Sequence, residues 1–349
     1  MNINRRNFLK TSVIGGVGCA LFHPSKILAS PTVGGQMSST ETLAKVALTT
    51  GDHRADLVFR ALQPFAEQIK RDIGNRRVIL KPNNVSIDIP LCATHVDTLE
   101  GILEFLKSIG ITQNIIIAES AAGGATFEGF SNYGYTKLTS KYPVTLVDLD
   151  SQPSTKLYVA DEQDFKPKPV RFSSLLLDRN SYVVSVARMK THDRILATLS
   201  LKNIIFGAPI KDLGFTWGNT RKPGTVNDKP IVHGNGFKGI NYNLFVLSQV
   251  LRPDLAIVDG FEGMEGNGPN NGTPVDHRIC VAGIDWLATD RVSLALMGID
   301  FAKVAYLNYC ADAGYGVADL DKIEIVGEPL SKHIKTYQLS RNYERQIIV

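Results

Sequence analysis

The stretch "HVDTLEGILEFLKSIGITQNIIIAES", residues 95–120, decides the fold. Its first part reads as an amphipathic helix that stops at Gly110, and "QNIIIAES" is a continuous apolar run of the kind a parallel strand gives when both of its faces are covered. Upstream, "RVILKPNN" at 77–84 is another strand. Residues 55–71 place Leu57, Val58, Ala61, Leu62, Phe65 and Ile69 at helical spacing, and "KVALTT" at 45–50 is a short strand before them. Strand, helix, strand, helix, strand is the order of an α/β sheet wound with right-handed crossovers.

The same alternation resumes downstream. "PVTLVDLD" at 143–150 is apolar enough for a strand, and the polar, proline-containing stretch at 150–180 reads as an irregular insertion. "SYVVSVA" and "LAIVDG" follow as strands, with "NYNLFVLSQVL" and "DWLATDRVSLALMGI" as helices. Two long Gly/Pro/Asn-rich segments, residues 207–236 and 261–274, read as loops, and long loops inside an α/β domain more often serve function than not. The expectation is a single α/β domain over 45–349, with a mainly parallel or mixed sheet, helices on both faces and long functional loops.

Before that domain stands "NRRNFLK", where Arg5 and Arg6 precede Phe8, Leu9 and Lys10. A short apolar run to Phe22 and a small-residue exit at "ILAS" follow. This order of charge, apolar stretch and cleavage-like residues is a secretory signal of the twin-arginine type. It predicts a signal peptide over 1–29 cut near Ala29, a flexible linker over 30–44, engagement of the twin-arginine export machinery and a periplasmic mature protein. That pathway carries folded cargo, often already loaded with a cofactor. A lipid anchor at Cys19 is the alternative. No other stretch has the length of a transmembrane helix.

At 349 residues with 44% hydrophobic and 21% charged residues, the chain has the composition of a globule. The first thirty residues hold four Lys or Arg and no acid, which leaves 34 residues of each sign in the remainder. No basic surplus remains for a nucleic-acid groove, so nucleic acid is not expected as a partner. Cys92, Cys280 and Cys310 lie too far apart for any C-x-x-C pair, which argues against an iron–sulfur cluster or zinc knuckle, and a disulfide among them stays open.

Ligands of parallel α/β sheets gather beyond the carboxyl ends of the strands. Polar residues stand at four such ends: Lys81, Asn83 and Asn84; Glu119 and Ser120; Arg188, Lys190 and His192; and Asp259. Lys202 and Asn203 sit on a following helix or turn that returns toward the same cleft. A buried lysine requires an anionic partner or a lowered pKa. Glu262 and Glu265 follow Asp259 at three-residue spacing, which would cluster carboxylates on a helix, so Asp259, Glu262, Glu265 and His233 are the candidates for a divalent metal. There is no EF-hand, H-E-x-x-H, P-loop, dinucleotide fingerprint or nucleophile elbow.

"VILKPNNV", "IIIAES", Gly134–Tyr135, "ARMKTHDRILATLSLKNIIFG", "VHG" at 232–234, "AIVDGFEGMEGNGP" and "AGIDWLATDRVSLALMG" together resemble the bacterial and archaeal family catalogued as domain of unknown function 362, over about residues 75–327. The resemblance implies that Lys81, Asn83, Glu119, Lys190, His192, Lys202, Asn203, His233, Asp259, Gly268, Pro269, Asp285 and Asp290 fall in recurring motifs. It brings no reaction with it.

The expectation for function is an exported enzyme acting on a small anionic substrate in a polar Lys/His/Asp cleft. A metal or redox cofactor is left open. His192, Lys190, Asp259 and Glu119 are the catalytic candidates, and Lys81, Asn83, Lys202, Asn203 and His233 the ligand-binding ones. The alternative is a non-catalytic periplasmic protein that binds an anion or helps a partner acquire its cofactor.

Overall fold

A computed structural model describes residues 43–216 and 222–347. The predicted signal peptide, Cys19 and nearly all of the linker lie outside the described residues. The described residues form one compact unit.

Its frame is a nine-stranded mixed sheet. In chain order the strands are β1 (Ala44–Thr50), β2 (Arg77–Lys81), β3 (Ile115–Glu119), β4 (Val144–Asp148), β7 (Ser181–His192), β8 (Leu196–Thr198), β9 (Leu255–Asn267), β10 (Asn271–Gly283) and β11 (Ile323–Gly327). β5 (Ser154–Ala160) and β6 (Pro167–Ser173) make a separate antiparallel pair within the stretch read as irregular. The order across the main sheet is β11-β1-β10-β9-β7-β2-β3-β4, with β8 pairing on β7. All of these strands share one direction except β10 and β8.

Both faces are covered, as the unbroken apolar runs require. Helices α1 (Arg54–Leu62), α2 (Ala66–Ile73) and α3 (Val96–Ser108) bring Leu57, Val58, Ile69, Leu99 and Ile102 onto Val78, Leu80, Val184, Val186 and Ile257. Following the short α4 (Thr126–Asn132), four longer helices cover the other face: α5 (Ser200–Gly207), α6 (Phe237–Ser248), α7 (Trp286–Leu296) and α8 (Ala305–Asp312). There Leu201, Ile204, Leu244, Leu287 and Leu307 meet Ile79, Val183, Val258 and Val281.

One expected loop is not a loop. The glycine-rich segment after Phe261 forms the arms of a long hairpin, β9 against β10, in which Asp276 pairs with Glu262 and Thr273 with Glu265. Three of its glycines mark close approaches. A Cβ at Gly263 would collide with the Tyr337 ring, one at Gly268 with the Thr191 carbonyl, and one at Gly272 with Met264 and the Glu265 carbonyl. Because Asp259, Glu262 and Glu265 lie on a strand and not a helix, three-residue spacing sends successive side chains to opposite faces.

β2 leads outward to β3 and β4, whereas its other neighbour, β7, leads to β9. The sheet order therefore reverses between β2 and β7, and the carboxyl ends of these strands open a crevice at that point.

Candidate functional site

A pocket of about 100 Å³ occupies this crevice, lined by residues that include Lys81, Asn83, Asn84, Glu119, Lys202 and Lys229. His192, Asn203, Phe206, His233 and Pro269 complete much of its wall. Each chain segment reaches it for a separate reason. Lys81 ends β2 and Glu119 ends β3, and the two adjacent parallel strands place them side by side. Lys81 Nζ lies 2.8 Å from the Glu119 carboxylate and also donates to the Pro82 carbonyl. The pair is almost wholly buried. Glu119 accepts two further bonds, from the Asn84 and Ser120 backbone N–H groups, so its oxygens are well supplied.

α5 carries Lys202 and Asn203. It starts where Asp290 on α7 accepts the Ser200 and Leu201 N–H groups, a carboxylate cap that fixes where the helix begins. The helix ends at Gly207, and a Cβ there would overlap the end of the Lys81 side chain. Asn203 Nδ2 donates to the Lys81 carbonyl and to Ser185 Oγ, which ties α5 to β2 and β7.

Lys202 differs from Lys81. It is 5% exposed and has no carboxylate or hydrogen-bond acceptor in bonding range among the described residues, and its ammonium sits 5.3 Å from the centre of the Phe206 ring. Burial pushes it down to about 7, with the like charges of Lys190 and Lys81 acting the same way and Asp193 opposing. Lys229, on the loop before His233, donates to the Gly207 and Pro209 carbonyls, and burial likewise holds it at about 7. Three ammonium groups thus face one carboxylate in the lining.

The hydrogen bonds of the two imidazoles favour opposite tautomers. His192 Nδ1 accepts the Arg194 N–H at 3.0 Å, which leaves its proton on Nε2. His233 Nδ1 lies 3.1 Å from the Lys229 carbonyl, which can only accept, so its Nε2 keeps a lone pair. Burial drives His192 well below the usual histidine value and His233 to about 4, and the Lys202 charge depresses both further.

On the far wall, Asn83 N donates to Thr94 Oγ1, and Tyr135 OH donates to the Thr94 carbonyl, with the Asn84 side-chain amide 3.1 Å away. Asn83 Oδ1 and Asn84 Nδ2 are buried without any hydrogen-bond partner. Orphaned amide atoms in a cationic pocket are groups held ready for something polar to enter.

Other predicted residues lie elsewhere. Asp259 has the strand parity of Leu255 and Ile257, which pack on the α1–α3 face. There it accepts from Thr98 Oγ1 at 2.6 Å and faces Arg54 at 3.4 Å. Lys190 donates to the Cys92 carbonyl, and burial lowers it to about 8. Arg188 clamps the Ala93 and Glu262 carbonyls. Glu262 pairs with Arg188, and Glu265 accepts from the Gln338 N–H. Asp285 caps α7 through the Ala288 N–H and holds the Val317 N–H. Among the described residues no group of three or more His, Cys, Asp or Glu side chains is placed to hold a metal ion. Cys92, Cys280 and Cys310 are buried free thiols.

Sequence reading passed over Lys229 and Phe206. The signal for Lys229 is its position four residues before His233, on a turn where Arg171 grips the Asp228 carboxylate. Nearby, Asp150 forms another buried ion pair, with Lys211, and accepts from Ser120 Oγ.

Residues 78–295, more than half of the chain, match the model of the family described as Domain of unknown function (DUF362). The chain belongs to this family. Every residue of the pocket named above falls within the matched span. A curated relative, Thylakoid-associated protein sll1697 of Synechocystis sp., is 24% identical over 230 residues, covering 65% of each chain. The chain thus spans just under two thirds of that relative's length. No helix among the described residues is long and apolar enough to cross a membrane.

Proposed function

We propose that this DUF362 protein is an exported enzyme that binds a small anionic substrate in the pocket between β2 and β7. Lys202 and Lys229 hold the anion, Asn83 and Asn84 bond its oxygens or neighbouring polar atoms, and His192 and His233 exchange protons with it. The observation that carries this reading is Lys202 itself. Leaving an ammonium buried without an anionic partner costs a protein several kcal/mol, and an entering carboxylate, phosphate or sulfate would remove that cost. Glu119 is assigned to fixing Lys81, while Asp259 and Lys190 secure the strands behind the pocket. Export rests on "NRRNFLK" and the apolar run after it.

Sulfate titration followed by thermal unfolding tests the proposal. Millimolar sulfate is expected to raise the melting temperature of the full chain by mass action. The rise should be lost in Lys229→Met. An unchanged melting temperature with sulfate, phosphate and acetate alike would overturn the anion site.

A further inference from the structure

Three features of the pocket belong to different elements and have no common structural purpose. Lys202 has its amine end lying against an aromatic ring, with no hydrogen-bond partner among the described residues. Two imidazoles of opposite tautomer flank it, each close enough to feel its charge. Lys229 and the unpartnered Asn83 and Asn84 amide atoms stand on the remaining wall. Lys81 is braced by Glu119 and Lys229 by two carbonyls. Lys202 alone is left unbraced.

We propose that Lys202 is a nucleophile that forms an imine with a small oxo acid whose carboxylate is held by Lys229 and the Asn83–Asn84 amides. The proposal rests on the reading of the pocket as an anion site and names the substrate class for it. A volume of about 100 Å³ suits a molecule of only a few heavy atoms.

The step balances within the pocket. His233 Nε2 takes a proton from the Lys202 ammonium, and the freed amine adds its lone pair to the carbonyl carbon. A C–N bond forms as the carbonyl π pair moves onto oxygen, where the His192 Nε2–H can donate a hydrogen bond. One proton passes from nitrogen to that oxygen. The imidazolium of His233 then returns its proton to the hydroxyl, the C–O bond breaks and water leaves. One ammonium and one carbonyl become one protonated imine and one water, with both histidines back in their starting forms. An amine already lowered to about 7 supplies the free base near neutral pH.

The test uses glyoxylate as the probe, with cyanoborohydride to reduce any imine to a stable amine, on the full chain, followed by peptide mass spectrometry. The expected result is one carboxymethylated lysine, Lys202, modified at least tenfold faster than exposed lysines such as Lys45, and protected by excess sulfate in the wild-type protein. Lys202→Met should give no fast adduct. Lys229→Met should slow the reaction while leaving Lys202 modifiable. Modification of Lys202 no faster than of Lys45, or without protection by sulfate, would overturn the imine. If sulfate still stabilises the protein in that case, the anion site stands and only the nucleophile falls. If sulfate neither stabilises nor protects, both fall together.

Discussion

Replacing Lys202 by Met keeps a flexible stem of similar length against Phe206 and removes the charge. A lysine held at about 7 in the folded protein, against an ordinary value of 10.5, costs the folded state ~4 kcal/mol at pH 7. Losing the ammonium's attraction to the ring gives back about 1–2 kcal/mol of that. The variant should therefore be more stable than the wild type by ~2–3 kcal/mol at neutral pH, a rise of several degrees in melting temperature. The sign follows from proton counts. Between about 7 and 10.5 the unfolded chain holds a proton on this lysine that the folded chain has lost, so wild-type stability climbs with pH across that interval. The penalty is full below about 7 and gone above about 10.5, and the advantage of the variant must fade over the same range. Urea unfolding of both proteins at several pH values across that interval measures the difference directly. A Met variant less stable than the wild type, or a gap that does not change with pH, would refute the claim that Lys202 is buried as an unsupported ammonium.

Glu119→Gln leaves Lys81 buried without its counter-charge and should destabilise the fold by about 3–5 kcal/mol, read from the urea midpoint. Anion binding should be tighter below about pH 7 and weaken as Lys202 and Lys229 lose their protons, with proton uptake on binding. Calorimetric titration with sulfate in two buffers of different ionisation enthalpy would expose that uptake, and none at pH 8 would count against it. Changing both Arg5 and Arg6 to Lys should trap the precursor inside the cell, which fractionation and immunoblotting would detect.

Parallel strands end in polar residues where the apolar run stops, so Lys81, Glu119 and the segment from Lys190 to Asn203 could be picked out of the sequence. What could not be picked out was the face each would take. When both sides of a strand are buried there is no alternation to read, and Asp259 looks like Lys81 until its neighbours show that it points at α1 and α3. The β9–β10 hairpin was hidden for another reason. Glycines that admit Tyr337, Thr191 and the Glu265 carbonyl look the same in sequence as glycines of a loose turn. Lys229 was hidden because its place depends on a turn anchored through Arg171 and Asp228, a tertiary contact across 57 residues.

The crevice between β2 and β7 also has a history in time. Lys81 stands in register with Ser185, roughly a hundred residues further along, and the wall that carries Lys229 and His233 comes later still. During synthesis, Lys81 and Glu119 emerge well before the strand that will enclose them. Contacts this distant in sequence form slowly. Until β7 docks, the nascent chain presents an open edge on β2, and the pocket can take up no ligand. Whatever the pocket binds must therefore meet a chain that is already complete through Pro269, so ligand capture is a late event in the birth of this molecule.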